Sequence, residues 1–406
     1  MVRTQARPRL RSALANGEFR TVWLAEAQST VGDQLTTVAL ALMVYHRTGS
    51  ALLSATAYAL TFLPALAGGL GLAQLADRYP RRTVLAASAA VQAVFVGVMA
   101  VPGMPLVPLC VLVVLARLAG APSNAAQNAL TREIFDDDEL YLRSQDIRGI
   151  TTNTAMLLGL ACGGFLVTAA GPSVALAIDA ATFAISALAL YRWVATRPAA
   201  DNGDGGWFGA IRWVSGQRRL RVLLGLSWLV GLAVIPEGLV APLAREIGAP
   251  DQAVGWLLAA DPLGFVIGVF LMSRYVSAET RKRALGVLAI VPTAFLLVFA
   301  VQPDLVLSLV ALAAAGAAGA YIVTVGASFI TWVPNELRGG AGGLYRTGLR
   351  VAQGVGVALG GAVAQWLGSA TTAITIAGAA GVVLGIPLAV CWTRLQRRAA
   401  ETAGAL

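Results

Sequence analysis

The sequence predicts an all-α membrane protein with twelve transmembrane helices arranged as two six-helix pseudo-repeats. First, 57% of the 406 residues are hydrophobic and only 13% are charged, whereas soluble proteins carry about 25% charged residues. Second, the apolar stretches reach the roughly 20 residues that a membrane-spanning helix needs. Third, the second half of the chain repeats features of the first half. A soluble globular enzyme and a disordered chain are therefore excluded.

The twelve predicted spans, numbered in chain order, cover about 21–45, 51–75, 83–101, 105–128, 150–170, 173–193, 222–243, 252–273, 284–301, 305–331, 344–367 and 370–392. Dipeptides such as Pro102-Gly103 and Gly171-Pro172 separate consecutive spans. With the N-terminus in the cytoplasm, nearly all of the 30 basic residues fall on the cytoplasmic side. We therefore expect a multi-pass protein of the cell inner (plasma) membrane with both termini cytoplasmic.

The longest polar interval divides the chain. We expect a cytoplasmic tail at 1–20, an N-terminal half at 21–193, a cytoplasmic linker at 194–221, a C-terminal half at 222–393 and a cytoplasmic tail at 394–406. In the linker, Trp207, Ile211 and Val214 share one helical face beside several arginines. This pattern predicts an amphipathic helix on the cytoplasmic leaflet, and the alternative is a partner-binding helix.

Spans 5 and 11 resemble each other. A shift of 197 residues places Gly159 on Gly356 and Gly163 on Gly360. These Gly-x-x-x-Gly spacings allow close approach of helix backbones. Two related halves around a midplane site are typical of secondary transporters.

Several kinds of chemistry are excluded by the residues available. The formal net charge of +9 follows from the topology rather than from nucleic-acid binding. The three cysteines lie in separate apolar runs, and His46 is the only histidine, so neither a disulfide framework nor a metal site is expected. The only lysine, Lys282, lies in no Gly-Lys-Ser/Thr motif, which excludes a P-loop. We expect no cofactor, no metal and no catalytic residue, hence no enzyme.

Charged residues inside spans are candidates for function because charge is costly in a bilayer. The candidates for a proton and substrate cavity are Glu26, Asp33, Arg117, Glu237 and Asp261. A carboxylate in an apolar environment can bind and release a proton near neutral pH. Glu26 and Asp33 share one face of span 1, so that together they could relay a proton.

Depth suggests how these candidates are arranged. Arg117 lies near mid-bilayer at the level of Asp33, which makes Asp33 a plausible partner; the alternative role is a purely structural ion pair. Glu237 follows Pro236 and Asp261 precedes a proline, where a helix can kink. For Asp261 the alternative is a helix cap. Asp179 on span 6 is a further charged residue inside a span, with either a functional role or a local bond to neighbouring helices.

The loop after span 2 reads Ala73-Gln-Leu-Ala-Asp-Arg-Tyr-Pro-Arg-Arg82 and resembles the signature loop of the major facilitator superfamily. Four of its positions match that signature: Asp77, Arg78, Arg81 and Arg82. Arg117-x-x-Gly120 resembles a second signature. The segments 32–40, 179–183 and 333–339 are most similar to the drug and siderophore exporter branch, which includes the enterobactin exporter.

The resemblance implies the major facilitator fold, with spans 1, 4, 7 and 10 lining a central cavity. It also implies that Asp77, Arg78, Arg81 and Arg82 form a gating loop, with Asp77 at the N-terminus of span 11 and the arginines bridging the halves.

These expectations together predict a secondary active transporter. It would export a small amphipathic molecule (a drug, antibiotic or siderophore) by proton antiport and alternating access. Its partners would be the small-molecule substrate, protons and the lipid bilayer, with no nucleic acid, and it would act as a monomer. The alternative is an importer or facilitator of a polar metabolite. A sensor or intramembrane enzyme would need an output domain or catalytic constellation that the sequence does not offer.

Overall fold

A computed structural model describes residues 13–62, 78–135, 137–197, 207–334 and 337–404, and all regular secondary structure in these ranges is helical. The first half contains α1 (Gly17–Thr48), α2 (Ala51–Ala59), α3 (Arg81–Met99), α4 (Leu106–Ile134), α5 (Asp138–Ala170) and α6 (Pro172–Trp193). There follow α7 (Trp207–Gly216), α8 (Arg218–Trp228), α9 (Val230–Ala233), α10 (Ile235–Gly238), α11 (Val240–Glu246), α12 (Ala253–Tyr275), α13 (Ala278–Leu288), α14 (Val291–Phe295), a 3-10 helix (Leu296–Val301), α15 (Leu305–Gly319), α16 (Tyr321–Thr331), α17 (Arg338–Leu367) and α18 (Ala370–Gly404).

Most of the predicted spans are apolar enough to cross a membrane by themselves. Within the described ranges, eight helices meet this condition, or nine if the bent segment 278–301 counts as one span. They correspond to predicted spans 3 to 10 and 12. Helices α1 and α17, spans 1 and 11, are 32 and 30 residues long, but their polar residues lower the hydropathy. Span 2 is only partly described. The predicted all-α membrane fold is confirmed.

The outside of the helices is apolar. Val107, Phe165 and Trp366 are 75%, 66% and 84% exposed. Soluble monomers rarely expose large apolar side chains in such numbers. This surface is suited to lipid contact.

The first of two compact units consists of residues 1–36 and 70–202. Helix α3 packs against α4 and α6, and a core of buried residues includes Val22, Leu85 and Leu130. Gly32 on α1 allows α6 to approach closely, because a Cβ at this position would collide with the carboxylate of Asp179. The polar face of α1 is thereby held against α6.

The second unit consists of residues 37–69 and 203–406. Span 7 is divided into α8, α9, α10 and α11, and Pro236 lies in this interrupted region, where it cannot donate a backbone hydrogen bond. Gly231, at its middle, faces the backbone of Ala352 on α17. The short pieces therefore follow α17 closely.

Residues 37–69 belong to the second unit although the sequence places them in the N-terminal half. The reason lies in the packing of α2 on α17. Ala55 of α2 fits beside Gly238 and Gly361, where an added Cβ would meet it. Small residues on both sides thus allow α2 to pack on the C-terminal half of the sequence.

Helices α12 and α15 contact each other through their backbones. A Cβ at Gly264 or Gly268 would collide with the carbonyls of Ala313 and Ala317, and one at Gly316 would collide with the carbonyl of Asp261. Glycines on both helices therefore make this the closest type of helix pairing.

The linker helix predicted from the sequence is present as α7. Val214 on its apolar face is 1% exposed and packs in the core of the second unit with Leu220, Leu223 and Phe329. The apolar face is thus at least partly covered by protein.

Candidate functional site

Asp33 and Arg117 form an ion pair in the first unit. Arg117 Nη1 on α4 donates to Asp33 Oδ1 on α1 at 2.6 Å, and the two side chains are partly buried. The partner predicted from depth is therefore the one found. A half-buried arginine bound to one carboxylate can exchange that bond for another anion or lose it when the carboxylate is protonated.

Asp179 lies beside this pair. Its side chain is fully buried on α6, and Thr36 of α1 donates to its Oδ2 at 2.5 Å. Asp33 and Arg117 both act on it electrostatically. The structure therefore brings two carboxylates and one arginine together in the first unit.

Glu26 is held by a residue that the sequence analysis missed. Arg148 Nε and Nη2 donate to the two Glu26 oxygens at 2.7 and 2.9 Å. Arg148 also donates to Asn128 at 3.0 Å and Gln145 at 2.9 Å. The prediction placed Arg148 in the loop before span 5, but α5 already begins at Asp138, capped by Asp137. Glu26 of α1 is therefore bound to α5 through a bidentate ion pair with Arg148.

Glu237 lies in the second unit. The phenol of Tyr58 on α2 donates a short hydrogen bond to Glu237 Oε2 on α10. Arg350 of α17 and Asp261 of α12 act on this group electrostatically. Tyr58 also stacks edge-on with Phe62 at 5.5 Å. No feature of the sequence distinguishes Tyr58 from an ordinary tyrosine in an apolar stretch.

Asp261 does not cap a helix. It lies inside α12, which runs from Ala253 to Tyr275, and its side chain is half-buried. The helix-cap alternative is therefore excluded. Two carboxylates, Glu237 and Asp261, and the arginine Arg350 form the second cluster.

Two arginines of the predicted gating loop, Arg81 and Arg82, bind within the first unit. Arg81 is 6% exposed and pairs with Glu133 of α4. Arg82 donates to Thr196 at 2.8 Å and lies over the ring of Tyr191 at 4.7 Å. Arg78 is exposed. The prediction for Asp77 lies outside the described residues.

A further carboxylate lies outside the spans. Glu246 accepts hydrogen bonds from the hydroxyls of Ser369 and Thr371 and from the backbone N–H of Ala370, at 2.7, 2.5 and 2.5 Å. Partial burial alone would raise the pKa of Glu246, but these hydrogen bonds outweigh it and lower the pKa below its ordinary value. Glu246 thereby caps the first turn of α18.

No group of three or more His, Cys, Asp or Glu residues within the described ranges is arranged to hold a metal ion. The charged residues of the two clusters are instead placed for ion pairs and hydrogen bonds.

Several solved structures have the same architecture. The nucleoside transporter NupG is 16% identical, and the match covers 93% of this chain and 99% of that chain with a TM-score of 0.75. A bacterial homolog of the human lysosomal transporter Spinster is 14% identical over 96% of this chain and 97% of that one, with a TM-score of 0.74. The peptide transporter POT in complex with sulfate has the same identity and TM-score, with coverage of 96% and 99%. At these identities the likeness shows the fold alone.

A comparison with curated proteins gives no significant match. A family model described as Major Facilitator Superfamily matches residues 22–236 and again residues 226–405. The chain therefore belongs to the Major Facilitator Superfamily and is a multi-pass membrane transporter of that type.

Proposed function

We propose that this transporter exports a small amphipathic molecule, such as a drug, antibiotic or siderophore, in exchange for protons by alternating access. It acts as a monomer in the inner (plasma) membrane with both termini in the cytoplasm, and it belongs to the drug and siderophore exporter branch that its sequence resembles. Helix α7 lies against the cytoplasmic leaflet. The domain limits are those expected from the sequence, apart from residues 37–69.

One observation carries this proposal: each unit contains, within its spans, a cluster of two carboxylates and one arginine. These clusters are Asp33, Asp179 and Arg117 in the first unit and Glu237, Asp261 and Arg350 in the second. With every group ionised, each cluster has one negative charge in excess. Excess charge inside a bilayer is costly, and either a proton or a positive group of the cargo removes it. Protons and cargo therefore compete, as antiport requires.

The individual residues then take different roles. Asp33 binds the proton or the cargo, and Arg117 is released when the aspartate is neutralised. Glu237 acts in the same way with Tyr58 as its alternative partner, and Asp261 adds negative charge.

Two further elements complete the proposed cycle. Glu26, two helical turns before Asp33 on α1, accepts the proton when its pair with Arg148 opens. The gating loop, formed by Asp77, Arg78, Arg81 and Arg82, changes partners as access alternates.

A second function is favoured by a specific observation. The similar structures carry names of nucleoside and peptide transporters, and both kinds of cargo are polar. An importer or facilitator of a polar metabolite is therefore the alternative.

The test uses purified protein in proteoliposomes with an acidic interior and a pH-sensitive dye inside. Candidate cargo is added outside: amphipathic cations, antibiotics, siderophores, nucleosides and peptides. Antiport predicts cargo uptake together with proton loss from the interior, absent in Asp33→Asn. Asp146→Asn is the matched control, because the Asp146 side chain is 61% exposed and makes only a long contact of 4.0 Å with its nearest partner, Arg143.

Cargo and protons moving in the same direction would contradict antiport and support the importer. Cargo flux without proton movement would support a facilitator. Antiport that persists in Asp33→Asn would move the coupling site away from Asp33.

A further inference from the structure

Asp179 is a buried carboxylate of the first unit, and no ion pair among the described residues holds it. Its side chain is 0% exposed. Among the described residues, no lysine or arginine nitrogen lies within 4.0 Å of it, whereas Arg117 is bonded to Asp33. A buried carboxylate in this position is stabilised by hydrogen bonds or by a proton.

The hydrogen bonds around Asp179 suit both protonation states. Thr36 donates to Oδ2 at 2.5 Å, a distance typical of a hydroxyl bound to a carboxylate anion. The other oxygen, Oδ1, lies 3.4 Å from the Thr182 hydroxyl oxygen. That hydroxyl donates its proton to the Asp179 backbone carbonyl at 2.8 Å.

A hydroxyl has one hydrogen but two lone pairs. Because the hydrogen of Thr182 is used, its oxygen is available to accept from Oδ1. The Cα of Gly32 lies on the remaining side of Oδ1, so close that a Cβ at this position would collide with Oδ1. Oδ1 therefore faces an acceptor and an apolar atom, which is the environment of an O–H group.

The charges that face Asp179 come from two helices. Asp33 on α1 repels its negative charge and Arg117 on α4 attracts it. Helix α3, which packs along α6, carries no charged residue beyond Arg82, and α5 carries none beyond Arg148. One proton bound by the two aspartates neutralises the cluster.

We infer that Asp179 is a proton-binding site of this transporter, holding the proton on Oδ1 with Thr36 and Thr182 as its hydrogen-bond partners. The inference rests on the proposed proton coupling and names a residue that carries it. In this arrangement Asp179 holds the proton while Arg117 stays bonded to Asp33. Arg117 is released only in the step in which Asp33 is itself neutralised. Thr36 lies one helical turn from Asp33 on α1. A change in the charge of Asp179 therefore acts on the same face of α1 that binds Arg117.

The test is infrared spectroscopy of the purified protein labelled with 13C-aspartate, recorded across a pH series. A protonated carboxyl group gives a C=O stretching band that a carboxylate lacks. We expect one aspartic acid band that titrates reversibly and is lost in Asp179→Asn. Thr36→Val removes the hydrogen bond to Oδ2 and should shift the band to higher frequency without removing it. Asp146→Asn should leave it unchanged.

A band that remains unshifted in both Asp179→Asn and Thr36→Val overturns the inference. Thr36→Val keeps the shape of the side chain, so it gives an answer even where Asp179→Asn does not fold. The readout needs no transport. If the band behaves as expected but no cargo exchanges with protons, the proposed function fails while the proton site stands.

Discussion

The ion pair between Glu26 and Arg148 allows a quantitative test of how this protein holds charge inside its helices. Arg148 makes four hydrogen bonds, two of them to Glu26, and the side chains are only 8% and 17% exposed. Arg148→Met removes all four and leaves the Glu26 carboxylate without a cation. We expect this variant to lose about 3 kcal/mol in the free energy of unfolding, because breaking a buried pair costs about 3–5 kcal/mol.

The size of the interaction itself follows from a double-mutant cycle. Glu26→Gln should also cost about 3 kcal/mol, because it leaves the guanidinium without an anion. The double variant has neither charge and should lose about 3 rather than about 6 kcal/mol. The coupling energy would then be about 3 kcal/mol, the upper part of the range for residues in contact.

The assay is equilibrium unfolding in mixed micelles, followed by fluorescence. Trp23 is a suitable reporter because its indole N–H donates to Thr151 at 2.9 Å. The control cycle uses Glu279 and Arg283, which form an exposed pair one turn apart on α13 at 3.1 Å. Such a pair contributes about 0.3–0.5 kcal/mol at most. Equal coupling in the two cycles would refute the argument that burial makes the first pair strong.

Three further predictions follow from single contacts. Tyr58→Phe should reduce proton-driven transport about tenfold or more, because a hydrogen bond to a charged group is worth about 1.5–3 kcal/mol. The control is the same change at exposed Tyr275. Equal transport rates in the two variants would contradict the role of the Tyr58 phenol. Gly32→Ala should lower the melting temperature, because overpacking costs about 1–3 kcal/mol. Gly149 has open space around it, so Gly149→Ala should raise the melting temperature slightly. A higher melting temperature for Gly32→Ala than for Gly149→Ala would exclude the close contact of Gly32 with α6. The native pKa of Glu246 is lowered, so its contribution to stability is present above the ordinary carboxyl pKa and is lost as pH falls through the native pKa. The difference in melting temperature between wild type and Glu246→Gln should therefore shrink on acidification. A difference that does not depend on pH would argue against capping by an ionised Glu246.

The positions of most spans could be predicted from the sequence because hydropathy depends only on local composition. Helix α6 covers 172–193 against a predicted 173–193. Hydropathy failed where a helix begins with polar turns. Helix α5 begins at Asp138 rather than near 150. Hydropathy did not predict this start because the first turns of α5 are polar. Arg148 lies in this extension and was therefore assigned to a loop.

Partners are harder to predict than positions. Asp33 and Arg117 could be matched by depth, since each helix rises about 1.5 Å per residue. The bond between Tyr58 and Glu237 depends on which face α2 turns toward the C-terminal helices, and this is decided by Ala55 fitting against two glycines. A spacing rule within one helix contains no information on such a contact. The burial of Asp179 behind Gly32 escaped prediction for the same reason.

The backbone contact between α12 and α15 has a practical consequence for studies of motion. Helices joined through glycines at three levels cannot slide without driving an atom into a carbonyl. Two spectroscopic labels, one on each of these helices, should therefore report a constant distance in every state of the transport cycle. Such a pair would serve as an internal ruler, against which distance changes measured elsewhere in the same molecule can be calibrated.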